Sequence, residues 1–404
     1  MRLFDQWLTV AMCCGVCALA GCVRKVPVAS GHSTAPIIST PITPRLKAKF
    51  AYTGNQGSSL SGYSVNTSTG ALTALSGFPF AIGANPTAVA VDPQNRFLFV
   101  GDIASGSINV FAINSSSGAL TEIGASPYVT VKEPVAIAVD PSGTHIYVSS
   151  QGSNSVGGFS VAPTGNLTPI AGSPFATSGT REFGNDVVIN AGGTFVYVQD
   201  IYHIYTYGVS AASGALTLLQ TTTGPWVTAI ALDPHGTYLY AAGARTNSFL
   251  VFSINASTGL LTPAGSFPMA QRNTAYTISI SPSAKFAYTI ENNNDLVSYA
   301  LKNGVFTPIG NVYSHVYGQR IGIDPSEKFL YVPQACGNCP GAASDIVNEF
   351  SIGRKGALKK IPGSPVAAGR TPWGIAITTQ NSPGRRWWQR VWSAFCCGNR
   401  GQGS

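Results

Sequence analysis

Basic and aromatic residues recur at one distance before a series of turns in this chain. Arg181, Arg272 and His315 each lie nine residues before the turn residue of their segment. Guanidinium groups bind anionic ligands through paired hydrogen bonds, and a histidine can act as a general base. His315 is therefore a candidate catalytic base, oriented by Glu182 or Asp186. The same kind of loop contains four further candidate ligand-binding residues, namely Arg320, Arg370, Tyr276 and Trp226.

A second interpretation of these residues needs no ligand. Loop arginines are often solvated and pair with nearby carboxylates, and Glu133, Glu182 and Asp186 occupy the same loops. One sequence does not show which side chains point inward. The residue types thus indicate either an anion-binding rim or a set of local ion pairs.

The elements that position these residues follow from a repeat. Seven glycine-led motifs recur at spacings of 48, 47, 49, 45, 45 and 52 residues. They begin at Gly70, Gly118, Gly165, Gly214, Gly259, Gly304 and Gly356. A period in the forties built from short strands predicts an all-β propeller with four-stranded blades.

Each period has the same order of strands and turns. A smooth apolar strand such as Ala136 to Val139 runs into an Asp140-Pro141 turn, and an aromatic second strand follows. Proline fixes φ in such a turn and the aspartate accepts backbone N–H bonds. Two more strands complete the period, the last of them after the glycine motif.

The count of strands predicts how the ring closes. The first strand of the body, Phe50 to Thr53, matches a second strand, and the last, Trp373 to Ile377, matches an inner strand without a successor. We therefore expect seven blades within residues 50–380, closed by pairing the N-terminal strands with the C-terminal inner strand. This closure leaves no open sheet edge and makes the chain enter and leave at one face.

The segments Ile137 to Gly143 and Leu167 to Phe175 resemble the lactonase-type seven-bladed propellers, which include 6-phosphogluconolactonases and shade into YVTN-repeat propellers. The resemblance covers roughly residues 50–380. It implies a ligand face, where the loops into the inner strands and those between second and third strands meet. The opposite turn face carries the Asp-Pro turns and the glycine motifs.

The resemblance leaves the activity open. Asn185 stands where family enzymes often carry a histidine, and the segment from Tyr240 to Gly243 lacks an acidic residue that relatives often have. The first hypothesis is thus a binding or scaffold module for an anionic small molecule or a protein. The alternative is a sugar-lactone hydrolase that uses the rim near Arg272, His315 and Arg320.

The N-terminus predicts export. Residues 1–21 combine Arg2, an apolar run and a lipobox-like ending before Cys22. We expect lipidation of Cys22, with an ordinary secretory signal as the alternative. Residues 22–49 then form a tether to a membrane in the cell envelope. Val23 after the cysteine indicates the outer membrane, if the host is Gram-negative.

The net charge of +8 is concentrated at the two ends of the chain. Residues 1–49 have a net charge of +5 and residues 383–404 of +4, so the body has −1. A near-neutral body argues against nucleic-acid binding. The tail, residues 381–404, contains Trp387, Trp388 and Trp392 among arginines, which suits a membrane interface or an unstructured end.

Two cysteines stand in the longest loop of the ligand face. Cys336 and Cys339 form a C-x-x-C pair, which in an exported protein favours a small disulfide over a redox or zinc site. The other C-x-x-C pair, Cys14 and Cys17, lies in the predicted signal segment, and no C-x-x-C-H motif is present in the sequence. We expect neither a metal nor a cofactor.

Overall fold

The repeated strand-and-turn units form seven small antiparallel sheets, arranged as the blades of a seven-bladed β-propeller. The computed structural model describes residues 47–83, 85–177, 186–271, 274–291, 294–335 and 345–380. These residues include no helix that is long and apolar enough to span a membrane. The predicted fold class is confirmed.

The blades follow one another along the chain. Blade 1 contains β1 (Ala48–Asn55), β2 (Ser59–Val65), β3 (Leu72–Ala74) and β4 (Phe80–Ala81). Blade 2 contains β5 (Pro86–Val91), β6 (Phe97–Asp102), β7 (Ser107–Ile113), β8 (Leu120–Glu122) and β9 (Tyr128–Val129). Blade 3 contains β10 (Pro134–Val139), β11 (His145–Ser150), β12 (Ser155–Val161), β13 (Leu167–Pro169) and β14 (Phe175–Ala176). Blade 4 contains β15 (Val187–Ile189), β16 (Phe195–Gln199), β17 (His203–Val209) and β18 (Leu216–Thr223).

The remaining strands complete the ring. Blade 5 contains β19 (Val227–Leu232), β20 (Tyr238–Gly243), β21 (Ser248–Ile254) and β22 (Leu261–Pro268). Blade 6 contains β23 (Ala275–Ile280), β24 (Phe286–Glu291), β25 (Asp295–Lys302) and β26 (Val305–Tyr313). Blade 7 contains β27 (Gly322–Ile323), β28 (Phe329–Gln334), β29 (Ile346–Ile352), β30 (Leu358–Lys360) and β31 (Val366–Ala367). The last strand, β32 (Pro372–Thr379), belongs to blade 1.

The outer strand is split into two short pieces in blades 1, 2, 3 and 7. A proline stands directly before the second piece in each of them, at Pro79, Pro127, Pro174 and Pro365. Because proline has no N–H to donate, it interrupts the ladder, which is tolerated at a sheet edge. Blades 4, 5 and 6 keep one continuous outer strand each.

The ring closes as the strand count predicts. Strand β32 pairs antiparallel with β1, which pairs in turn with β2. The N–H of Gln380 donates a hydrogen bond of 2.6 Å to the carbonyl of Lys47. The two ends of the propeller therefore leave side by side at the turn face, also as predicted.

The buried core of the described residues is divided into seven clusters, one at each interface between neighbouring blades. A repeated hydrogen bond accompanies them. Tyr52 in blade 1 donates to the carbonyl of Gly118 in blade 2 at 2.7 Å, and Tyr147 donates to Gly214 at 2.7 Å. The same bond joins Tyr197 to Gly259, Tyr288 to Gly356 and Tyr331 to Gly70.

This contact explains the glycine motifs. Gly259 has a φ of +72°, and a Cβ at this position would lie 2.4 Å from the Phe195 ring of the preceding blade. Left-handed backbone and close ring contact both exclude a side chain here. The seven motifs therefore mark blade-to-blade packing at the turn face.

The aspartate turns have the predicted chemistry. One carboxylate oxygen of Asp324 accepts the N–H groups of Lys328 and Phe329 at 2.8 and 2.9 Å. Asp140 binds the N–H groups of Thr144 and His145 in the same way. These bonds fix where each second strand begins, and so where it ends at the ligand face.

Candidate functional site

A cavity of about 530 Å³ opens at the ligand face, where inner strands begin and second strands end. Its wall consists of Gln56, Thr87, Ile103, Val135, Gln151, Ile201, Trp226, Thr228, Tyr276, Gln319, Arg320 and Trp373. All seven blades contribute to this wall. Blade 4 does so only through Ile201, which follows its second strand. This volume lies in the range of small-molecule sites.

A β-bulge at the start of the inner strand aims residues into this cavity. In five blades the ladder skips one residue there, and the skipped residue lines the cavity each time. The skipped residues are Thr87, Val135, Thr228, Tyr276 and Trp373. A bulge leaves its extra residue unpaired and redirects the side chain, so one local irregularity, repeated around the ring, builds the wall.

Two of the bulge residues use their hydroxyl groups to join blades. Thr87 Oγ1 donates to the carbonyl of Pro134 at 3.1 Å, and Thr228 Oγ1 donates to the carbonyl of Ala275 at 2.7 Å. Because these hydroxyls are engaged, the threonines add mainly methyl surface to the cavity.

An ion pair joins opposite sides of the channel. Arg320 Nη2 lies 2.8 Å from Asp186 Oδ1, and the two side chains are 26% and 14% exposed. Asp186 directly precedes β15 in blade 4 and Arg320 lies just before β27 in blade 7, three blades apart in a ring of seven. The other oxygen of Asp186 accepts the N–H of Ile230 in blade 5 at 3.2 Å. The carboxylate is thus held near the channel axis by two blades besides its own.

Trp226 is held by a second cation. The guanidinium of Arg245 stacks over its indole ring, 4.3 Å from the ring centroid. The carbonyl of Trp226 also accepts the N–H of Ala244 at 2.8 Å. Cation–π stacking of this kind stabilises the ring orientation, so Trp226 contributes a fixed aromatic ring to the cavity wall.

Two buried carboxylates support the loops around the site. Asp200 accepts the Tyr205 hydroxyl at 2.6 Å and the N–H groups of the turn that carries Ile201. Glu291, at the end of β24, is fully buried and accepts the N–H of Gln271 at 2.9 Å and the hydroxyl of Tyr299. Burial raises the pKa of the Glu291 carboxyl, and these hydrogen bonds offset part of the rise.

The structure brings together three of the predicted ligand-binding residues, since Trp226, Tyr276 and Arg320 line one cavity. His315 and Arg370 are exposed and do not line it. His315 has a φ of +65° and its ring faces Tyr317 at 6.3 Å. Asp186 contacts Arg320 and Ile230 rather than His315.

Several predicted residues lie outside the described part of the chain. They are Arg181, Glu182 and Arg272 of the rim, Cys336 and Cys339 of the C-x-x-C loop, Cys22 of the lipobox, and Trp387, Trp388 and Trp392 of the tail. Asn185 is outside it as well. Within the described residues, no group of three or more His, Cys, Asp or Glu side chains could hold a metal ion.

Sequence reasoning missed one class of wall residue. Gln56, Ile103 and Gln151 each directly follow a second strand, and Ile201 lies two residues after one. The signal was present in part, because isoleucine is unusual in a loop exposed to solvent. Recognising it required knowing that second strands end beside the channel.

Comparison with known proteins identifies the family. The family model described as lactonase, 7-bladed β-propeller, matches residues 42–139, 131–225 and 176–277, which together exceed half of the chain. No curated protein matches the sequence. A candidate 6-phosphogluconolactonase from Bacteroides uniformis superposes with a TM-score of 0.70 at 16% identity, over 83% of this chain and 99% of that one. The periplasmic gluconolactonase of Pseudomonas aeruginosa superposes with a TM-score of 0.67 at 18% identity, over 81% and 98%. At these identities the solved structures establish the fold alone.

Proposed function

This chain belongs to the lactonase family of seven-bladed β-propellers, and we propose that it binds lactones in the ligand-face cavity and hydrolyses them. The observation that carries the proposal is the Asp186–Arg320 pair, a carboxylate in contact with a guanidinium that lines a cavity with aromatic sides. A lactone needs a base for the attacking water and a donor for its carbonyl oxygen, and this pair supplies both.

The proposed chemistry uses each group once. Asp186 accepts a proton from water, whose oxygen attacks the lactone carbonyl carbon. Arg320 donates hydrogen bonds to the carbonyl oxygen as negative charge develops there. The ring C–O bond then breaks, and the leaving alkoxide takes the proton back from Asp186 to give a hydroxy acid. The Ile230 N–H keeps the carboxylate in place through these steps.

The wall also favours one kind of ligand. Trp226, Tyr276 and Trp373 offer aromatic faces on which a ring can stack. Ile103, Val135 and Ile201 add aliphatic surface to the side formed by blades 2 to 4, which also contains Thr87 and Gln151, opposite Arg320 of blade 7. A lactone with an apolar substituent on one side and its carbonyl directed at Arg320 matches this distribution.

The cellular setting is part of the proposal. The lipobox-like segment before Cys22 supports an exported protein attached to a cell-envelope membrane by a lipid on that cysteine. Mass spectrometry of the purified protein tests it: a diacylglyceryl-modified peptide that begins at Cys22 is expected. Unmodified Cys22 would leave a secreted protein without this anchor.

Acid release from a panel of lactones by the purified full-length protein tests the activity. Asp186→Asn and Arg320→Gln should each lower kcat at least a hundredfold, because general-base and oxyanion contributions are of this size. Arg354→Gln removes an exposed arginine from the turn face and should leave turnover unchanged. Loss of turnover in His315→Ala, together with full turnover in Asp186→Asn, would show that the catalytic base is His315 and not Asp186.

Binding without turnover would identify a different function. If the unaltered protein binds lactones or their hydroxy acids with no acid release across the panel, the chain acts as a binding module. If it neither binds nor hydrolyses any of them, the cavity assignment itself is wrong. Calorimetric titration alongside the activity assay separates these outcomes.

A further inference from the structure

Charge is distributed unequally between the two faces of the propeller. Among the described residues, Arg96 on the turn face is paired with Asp92, and six further exposed cations lie there, at Lys47, Lys285, Lys302, Lys328, Arg354 and Lys355. They stand in the turns between first and second strands, in the turns between third and fourth strands, and at the point where the chain enters β1. This set is called the basic face below.

The carboxylates of the same face do not offset these cations at the surface. Asp92, Asp140, Asp233, Asp324 and Glu327 are the acidic residues of the described turns there, and each is at least 91% buried. Their oxygens accept backbone N–H groups within the turns, as Asp324 does from Lys328 and Phe329. An approaching surface therefore meets lysine and arginine, whereas the ligand face also presents Glu133 and Asp345.

Part of the basic face is shaped to receive an anionic group. Lys285, Lys328 and Arg354 surround a shallow basin of about 520 Å³ that Ser326 and Ser351 also line. The two hydroxyls donate within the protein, to Asp324 and to the carbonyl of Lys359, and the lining Glu327 is buried, so the three cations are the groups that would meet a phosphate.

The ends of the propeller point to the occupant. Lys47 and Gln380 are joined by a backbone hydrogen bond on this face, and Cys22 lies 25 positions before Lys47. We propose that the basic face rests on the phosphate headgroups of anionic phospholipids, with the ligand-face cavity directed away from the membrane. The inference rests on the proposed anchor at Cys22 but not on lactone hydrolysis.

The physical size of the effect is set by the number of cations. A lysine or arginine close to an anionic leaflet strengthens binding by about fivefold, and the effect decays within a Debye length of about 8 Å at physiological ionic strength. Six such residues on one face are enough to orient a protein that a lipid already holds at the surface. High salt should abolish the orientation and leave the anchor intact.

The test uses the full-length lipidated protein in vesicles of phosphatidylcholine alone or with 30% phosphatidylglycerol. A membrane-impermeant amine reagent labels its lysines, and mass spectrometry gives the rate at each one. We expect labelling of Lys285, Lys328 and Lys355 to slow about fivefold or more in the anionic vesicles and to recover in 0.5 M NaCl. Lys132, on the ligand face, should react equally in both.

Matched variants make the test specific. Lys302→Glu with Arg354→Glu should abolish the protection of the remaining basic-face lysines. Arg245→Glu with Arg370→Glu makes the same charge change on the ligand face and should preserve it. Equal labelling in both vesicles, protection of Lys132 to the same degree, or loss of protection in the ligand-face variant would each overturn the proposal. Failure of lactone turnover would not affect these results.

Discussion

The Asp186–Arg320 pair connects blades 4 and 7 across the channel, so removing it should loosen the ring as well as the site. The perturbation is a double-mutant cycle of Asp186→Ala, Arg320→Ala and the double variant. Asp186 also accepts the Ile230 N–H. That loss occurs in the single and in the double variant, so it cancels in the coupling energy.

The magnitude follows from distance and burial. Two unit charges about 4 Å apart attract by about 4 kcal/mol at an effective dielectric constant of about 20. The charged atoms of this pair are 2.8 Å apart and the side chains are mostly buried, so desolvation opposes part of the attraction. We expect a coupling free energy of about 2 kcal/mol, measured by urea unfolding of the full-length protein.

An exposed pair provides the matched control. Lys132 and Glu133 lie 3.7 Å apart with side chains 61% and 39% exposed. Solvent screening should limit their coupling to below about 0.5 kcal/mol. A value for Asp186 and Arg320 no larger than this control would refute the cross-channel link, and with it the argument that the pair is held in place for catalysis.

Three further outcomes are expected from unfolding measurements. Phe99 occupies the position of the tyrosines that bind the next blade. Phe99→Tyr should add a hydrogen bond to the Gly165 carbonyl and raise the free energy of unfolding by about 1 kcal/mol. A destabilised variant would show that no acceptor is within reach of the new hydroxyl. Gly259→Ala should lower the free energy of unfolding by at least about 2 kcal/mol more than Gly236→Ala. Gly236 also has a positive φ, but a Cβ there would meet no atom within 4 Å. Equal losses in the two variants would exclude the steric clash at Gly259. The Glu291 pKa is raised in the folded state, so its contribution to stability is full below its unfolded pKa and is lost as pH rises through the folded value. Glu291→Gln should flatten that decline, and an unchanged profile would assign it to other groups.

Much of the fold could be predicted because the repeat constrains it seven times. One fold accounts for the glycine motifs, for the Asp-Pro turns and for the unmatched strands at Phe50 and Trp373. It is a propeller in which the N-terminal and C-terminal strands pair in one blade. The splitting of the outer strands was not predicted. It depends on whether a proline falls at the edge of a blade, and proline also occurs inside the continuous strands β22 and β26.

The site could be predicted only in outline. Trp226, Tyr276 and Arg320 were recognised by loop type, but counting residues treats His315 as equivalent although its side chain lies outside the cavity. The decisive local feature is the bulge, which adds one residue to an inner strand and turns a side chain toward the channel. Asp186 and Arg320 are 134 positions apart in the sequence, and only ring closure brings them together.

The residue at the bulge position can change the ligand preference of the cavity with little effect on the stability of the blade. The second-strand position that packs on the next blade is tyrosine in six blades and phenylalanine in blade 2, and five of the tyrosines donate to a glycine carbonyl. The bulge position instead varies, from Val135 in blade 3 to Tyr276 in blade 6. Because a bulge residue contributes no ladder pairing at its own position, its side chain can change with little cost to the sheet.

A single exchange at a bulge position, such as Val135→Thr, should therefore shift the preference among lactones with apolar and polar substituents. The free energy of unfolding should change by less than about 1 kcal/mol. Equal losses of binding for both substituents, together with a large loss of stability, would show that the wall is part of the core.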